Sequence, residues 1–304
     1  MTEATGFDLS TYLEVERREV EDALRRAVEV VAPALPDEIG DALRHGVMTG
    51  GKRLRPILCA TAYRACGGEG DAPRVYDLAV SLELIHAYSL MHDDLPCMDD
   101  AALRRGTPTT HRAHGEDAAV LAGAALIPVA ALQAVRAAKA LGCSRHAVIE
   151  VTRTLLEASG AGGMVGGQWL DLLGEGQALN GPELDRLHGR KTGALLAASL
   201  VMGARAAEAP QATVDALEAY GTAIGLAFQI ADDVLDATSS ADVLGKNPSD
   251  AALDKSTYVS LYGLDPARER ADEVVQSALA ALAGAGIEAP ALSGLARYVV
   301  ERDR

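Results

Sequence analysis

Between Thr213 and Asp236 the chain carries two stripes at one helical spacing, one apolar and one acidic. Val214, Leu217, Ile224, Phe228 and Leu235 make the first; Gln229, Asp232, Asp233 and Asp236 follow at i, i+3, i+4 and i+7 beside it. The spacing predicts a long helix. Its acidic side is flanked by Ile, Ala, Val and Leu rather than by Lys and Glu, which weakens the reading of a solvated face without removing it. Asp232 and Asp236 are four residues apart and stand one above the other on that helix. Carboxylates so placed repel, and more strongly when desolvated, which calls for a cation between them. Oxygen-only ligands of this kind suit Mg²⁺, which keeps several waters and shares itself with substrate phosphates. A solvated acidic helix face is the plainer alternative.

The remainder of the 304 residues reads as helix as well. Ala, Leu, Glu and Arg dominate, and β-branched runs bounded by turns are scarce. Breaks fall at Pro33–Pro36, Gly67–Pro73, Gly106–Pro108, Gly142, Gly174–Pro182, Glu208–Pro210, Gly245–Pro248 and Gly284–Pro290. These predict an all-α chain of roughly ten helices. Without a linker, repeat or low-complexity tract, residues 1–304 read as a single domain. The uncharged run Ala118–Val135 reaches the length of a membrane span. It is mostly alanine and holds Gly123, Pro128 and Gln133, so a helix buried among helices is expected and no transmembrane anchor. The charged N-terminus lacks the apolar core of a signal peptide. Cys59, Cys66, Cys97 and Cys143 form no CxxC pair, which fits reduced thiols in a cytoplasmic protein.

A second acidic cluster, SLMHDDLPCMDDAALRRGTPT (Ser89–Thr109), closes another apolar helix on which Glu83, His86, Ser89 and Asp93 form a polar stripe. Asp93 and Asp99 are six residues apart, about 240° out of phase on an ideal helix. Pro96 must end or bulge the helix to bring Asp99 back toward Asp93.

With a formal net charge of −15, the chain is a poor nucleic-acid binder. Its bases nevertheless gather in islands. Lys52, Arg53 and Arg55 follow the Gly50–Gly51 pair, and Arg104 and Arg105 follow the first acidic cluster. Lys191–Thr192, Lys246 and Lys255 each lie near a glycine or a turn. Each alone could be a solvated side chain. Carboxylates suited to a metal, together with bases suited to phosphate oxygens, point to a diphosphate substrate. Neither GxxxxGK[ST] nor GxGxxG after a strand is present, which argues against ATP or a dinucleotide.

Together, DDLPCMDDAALRRGTPTTH, FQIADDVLD, GGKRLRP, HAYSLMHDD, GGQWLDL and Lys191–Thr192 resemble the short-chain trans-prenyl diphosphate synthases, with the bacterial farnesyl diphosphate synthases as the nearest likeness. The resemblance implies an isoprenoid synthase fold, a helical bundle around a central cavity, and a homodimer. It implies that Asp93, Asp94, Asp99, Asp232, Asp233 and Asp236 hold Mg²⁺, about three ions per active site. Arg104 and Lys246 would contact the allylic diphosphate, with Lys191 and Lys255 near. Lys52, Arg55, His86 and Arg105 would bind isopentenyl diphosphate, and Thr192 and Gln229 would face the reacting carbons.

The implied reaction is a head-to-tail (1′-4) condensation of isopentenyl diphosphate with dimethylallyl and geranyl diphosphates. A tyrosine fifth before the first Asp resembles the farnesyl-forming pattern. Tyr88, with Ser89 one turn under Asp93, is therefore expected to close the pocket at fifteen carbons. Geranylgeranyl diphosphate is the alternative product; a class I terpene cyclase and a non-catalytic partner subunit are remoter readings. Relative to the family, Ala101, Ala102 and Ala124 replace acids, the 245–255 loop is short, and Trp169 stands where a small or aliphatic residue is usual.

Overall fold

The computed structural model describes residues 7–69, 73–238 and 256–301. Among them are twelve α-helices of eight or more residues and one two-stranded hairpin, an all-α architecture. The first half comprises α1 (Leu9–Val31), α2 (Asp37–Met48), α3 (Leu54–Ala65), α4 (Pro73–Asp93), the short α5 (Thr110–His114), α6 (Glu116–Ala140) and α7 (Arg145–Ser159). After these come α8 (Met164–Gly174), α9 (Gly181–His188), α10 (Ala194–Ala206) and α11 (Gln211–Thr238). The short α12 (Tyr258–Tyr262), α13 (Leu264–Gly284) and α14 (Pro290–Glu301) complete it.

Local chemistry sets many of the ends. Asp8 caps α1 by accepting from the Ser10 and Thr11 backbone N–H groups, and Asn180 with Glu183 forms a capping box on α9. The breaks read from Gly and Pro within the described residues all fall between elements; Gly245–Pro248 lies outside them. Further breaks, at Thr49–Arg53 and Gly160–Gly163, carry weaker signals.

The helices pack pairwise, most extensively α4 on α6, α11 on α13, and α10 on α3, α11 and α7. Helix α10 buries residues around its whole circumference, as a helix enclosed by others must. Its contact with α3 is close: a Cβ on Gly203 would stand 2.2 Å from the Cys59 carbonyl oxygen. The apolar stripe predicted for α11 is only partly enclosed, with Val214, Leu217 and Ile224 buried and Phe228 and Leu235 half-buried.

Helix α6 corrects one expectation. It turns Ala122, Gly123, Leu126, Ala130 and Ala134 inward, yet leaves Val120, Leu121, Ile127 and Leu132 exposed. By length and composition it could cross a membrane, and only 33% of its most apolar window is buried. Pattern showed the apolar character; the number of neighbouring helices decided how much was covered. The four cysteines are free, and burial pushes the Cys59 thiol up to about 12.

Candidate active site

Helix α4 ends at Asp93, and the chain folds back over the next six residues. The Asp99 N–H donates to the Asp93 carbonyl at 2.9 Å, and the Ala101 N–H reaches the Asp94 carbonyl at 3.2 Å. Pro96 sits exposed at the turn, and Asp100 takes a positive φ of 43°. The return that Asp99 needed is therefore made by ending the helix.

Asp93 lines a cavity of about 350 Å³. Burial raises its pKa to about 6, with Asp99 and Asp94 adding repulsion while Lys191 and Arg104 oppose it. The Asp99 Oδ1 is buried without a hydrogen-bond partner. A desolvated carboxylate beside an unsatisfied carboxylate oxygen suits a hard cation. Among the described residues, no three carboxylate, imidazole or thiol groups converge into a preformed metal site.

The neighbouring acid behaves differently. Asp94 is buried and bidentate to Arg104, with Nε at 2.8 and 2.9 Å and Nη2 at 2.6 Å. The two groups assigned to metal and to diphosphate hold each other here. Arg104 lies on one strand of the hairpin, Leu103–Arg104 against Thr107–Pro108, joined through Arg105 and Gly106 at positive φ.

That turn delivers Arg105 to the other basic island. Its Nη1 donates to the Gly50 carbonyl, and a Cβ on Gly51 would stand 2.7 Å from the guanidinium. The Gly–Gly pair thus leaves room for an arginine. Arg55 and His86 line the cavity. Burial lowers Arg55 to about 10, and its Nε has no hydrogen-bond partner. Burial, with Arg55, Arg105, Arg104 and Arg53 around it, holds His86 well below the usual imidazole range, hence neutral. Unsatisfied guanidinium beside neutral imidazole is chemistry suited to an anion.

The residues of this island face different surroundings. Lys52 is exposed, whereas Arg53 is turned inward, bonding Glu21 and Glu83 at 2.7 Å each and the Val47 carbonyl at 3.1 Å. Glu83, read as part of a polar stripe with Asp93, instead belongs to this buried structural pair.

The opposite wall comes from α8 and from a π-helical turn, Gly189–Gly193, joining α9 to α10. Such an extra-residue turn offsets the side chains that follow, and here Lys191 and Thr192 enter the cavity. A Cβ on Gly167 of α8 would stand 2.1 Å from the Lys191 backbone nitrogen, so helix and turn meet backbone to backbone. The Lys191 Nζ donates to Asp171 Oδ2 at 2.6 Å. The Thr192 hydroxyl donates to Gln229 Oε1 at 2.9 Å, and the Gln229 amide reaches Asp232 at 3.4 Å. This chain ties the second acidic cluster to the cavity that holds Asp93.

Within that cluster the predicted stripe divides. Asp232 and Asp236 are half-buried, whereas Asp233 is buried, accepts the Tyr258 N–H at 2.7 Å and stands 4.0 Å from His188. One residue along a helix is a 100° turn, which sends Asp233 toward α9 and α12. Lys246 and Lys255 lie outside the described residues.

Below Asp93 the cavity is apolar. Tyr88, Ser89, Leu90, His92 and Met98 line it on one side. Tyr88 meets His92 edge to face at 5.6 Å, and His92 is held by the Val120 carbonyl at 3.1 Å. A cavity charged in one part and apolar in another accommodates a molecule with an anionic head and a hydrocarbon tail.

The polyprenyl synthetase family model matches residues 36–285. The chain belongs to the polyprenyl synthetase family. It is 39% identical over 76% of its length to a large subunit of heterodimeric geranylgeranyl pyrophosphate synthase of Arabidopsis thaliana, and spans 62% of that protein. With the farnesyl diphosphate synthase of Bacillus subtilis it shares 36% identity over 74% of each chain. The structure of geranyltransferase from Helicobacter pylori, complexed with magnesium and isoprenyl diphosphate, superposes with a TM-score of 0.81 at 30% identity, covering 98% of both chains.

In this polyprenyl synthetase family member, sequence reasoning missed much of the cavity wall. Met164, Val165, Gln168, Trp169 and Leu172 of α8 all line it. GGQWLDL stands out in the sequence as a motif, yet its pattern alone gives no role to Gln168 or Asp171. The available signal was the need of Lys191 for a counter-ion: Asp171 is an acid within an apolar stretch.

Proposed function

We propose that the protein is a Mg²⁺-dependent prenyltransferase that condenses isopentenyl diphosphate with dimethylallyl and then geranyl diphosphate, releasing farnesyl diphosphate. The observation carrying this reading is the single cavity that has Asp93, Arg55, His86 and Lys191 at its charged part and Tyr88 in its apolar part. Family membership and the magnesium and isoprenyl diphosphate of the Helicobacter pylori relative support it.

In the reaction, the allylic C1–O bond breaks, the isopentenyl C4 bonds to C1, and a proton leaves C2 for the released pyrophosphate. Bound Mg²⁺ would neutralise charge on the departing diphosphate. Asp93, Asp99, Asp232 and Asp236 are the candidates to hold it, with Asp94 able to join only if Arg104 lets go. Lys191 presents its ammonium to the same cavity, and Lys246 and Lys255 complete the diphosphate contacts in this reading. Arg55, His86, Arg105 and Lys52 take the second diphosphate. Thr192 and Gln229, bonded to each other, face the reacting carbons in this reading. No side-chain nucleophile is required.

Tyr88, fixed by His92, sets the C15 length by closing the apolar part. The protein works as a cytoplasmic homodimer in this reading, a second copy covering the exposed apolar residues of α6 and α7.

Incubation with dimethylallyl and isopentenyl diphosphates and Mg²⁺, followed by chromatography of the products, tests the proposal. Farnesyl diphosphate is expected. Geranylgeranyl diphosphate would correct the length alone, whereas a cyclic hydrocarbon or no turnover would reject the reading.

A further inference from the structure

The two apolar walls of the cavity are built differently. On α4, Tyr88 is buried and locked edge to face on His92. His92 in turn bonds the Val120 carbonyl and lies so close to α6 that a Cβ on Gly123 would stand 2.3 Å from its Nε2. Displacing Tyr88 therefore disturbs its contact with His92 and, through His92, the packing against α6. On α8, Val165, Trp169 and Leu172 line the same cavity at i, i+4 and i+7, one face of one helix. Trp169 is the largest side chain in the lining and the chain's only tryptophan, yet it is 61% exposed.

An indole buries roughly 150–250 Å² in a packed environment and contributes most when it does so. Exposed against an apolar cavity, it contributes little to the fold and offers a broad flat surface to a hydrocarbon. Gln168, one position before it, has a buried amide nitrogen without a hydrogen-bond partner. This stretch of α8 is therefore unsatisfied on its cavity side, in polar and apolar respects alike.

We infer that Trp169 is a specificity-determining residue, its indole packing on the isoprenoid tail and limiting product length together with Tyr88. The inference rests on the prenyltransferase reading and deepens it. Tyr88 is the fixed stop and Trp169 the yielding wall, so removal of the indole opens space that a longer tail can enter.

Two measurements test it. In the wild-type protein with Mg²⁺, the emission of Trp169 is followed while farnesyl thiodiphosphate or inorganic pyrophosphate is titrated. A saturable blue shift with the former and none with the latter is expected. Identical responses to both, or no response, would overturn the inference, as would a shift that follows protein concentration instead of the tail. Products of Trp169→Ala and Trp169→Phe are then compared with wild type. Trp169→Ala is expected to lengthen the main product by one or more five-carbon units, and Trp169→Phe to retain the wild-type length. An unchanged product from a folded Trp169→Ala protein would overturn it; if that variant does not fold, Trp169→Leu and the wild-type emission decide. Absence of any condensation product from the wild type would instead defeat the prenyltransferase reading, while the emission still reports contact with the tail.

Discussion

The Asp99 N–H donates to the Asp93 carbonyl at 2.9 Å, closing the six-residue loop that follows α4. This bond reconciles a sequence spacing that is wrong for a helix with a carboxylate, Asp99, that adds to the rise in the pKa of Asp93. The loop gathers repelling charge before any cation arrives, and folding bears that cost.

Asp93 should therefore oppose stability in the metal-free protein. Its pKa rises from 3.8 unfolded to about 6 folded, so ionisation favours the unfolded chain. The penalty is absent below about pH 4, grows between about pH 4 and pH 6, and is complete above. At roughly 1.4 kcal/mol per unit, reduced for partial exposure, it amounts to about 1–3 kcal/mol. In chelator, Asp93→Asn is expected to melt above wild type at pH 7 and level with it at pH 4; in a separate assay with Mg²⁺ present, its turnover should fall by about 10²–10⁴. Calorimetry at the two pH values checks this; equal melting at both would show that the carboxyl is not desolvated.

Asp232 and Asp233 should separate catalysis from stability. Asp232→Ala is expected to lower turnover by about 10²–10⁴ with unchanged helical circular dichroism. Asp233→Ala orphans the buried Tyr258 N–H and should cost about 1–3 kcal/mol in urea unfolding. Loss of stability in Asp232→Ala, or none in Asp233→Ala, would reverse the assignment.

Glu83→Gln removes a carboxylate from the buried Arg53, leaving it the half-buried Glu21 as its one charged partner among the described residues. Breaking a buried pair on one side costs about 3–5 kcal/mol. The denaturation midpoint should fall accordingly; a midpoint within error of wild type would mean that Arg53 repositions.

Tyr88→Ala removes the locked ring and should lengthen the product beyond fifteen carbons, read by chromatography. An unchanged C15 product would place the limiting contact on another helix.

The helices themselves were legible because their stripes repeat every 3.6 residues and their ends are marked by Gly and Pro. The pairing of carboxylates with bases was legible from residue type alone, since such charge in apolar segments needs a counterpart. Sequence position could not tell Arg53 from Arg55, two residues apart: one is buried on Glu83 and the other lines the cavity. Nor could it show that Asp94 spends its carboxylate on Arg104, or that Trp169 faces the cavity.

What the amino-acid order determined by itself was local: helical periodicity, the caps and breaks, and the supply of acids and bases in clusters. What the tertiary structure alone decided was allocation, meaning which charged group is buried against a partner and which is left toward the cavity. The reason is physical. Periodicity and propensity act within a few residues, whereas desolvation and ion pairing depend on which helix lies alongside, and that neighbour comes from a distant part of the chain.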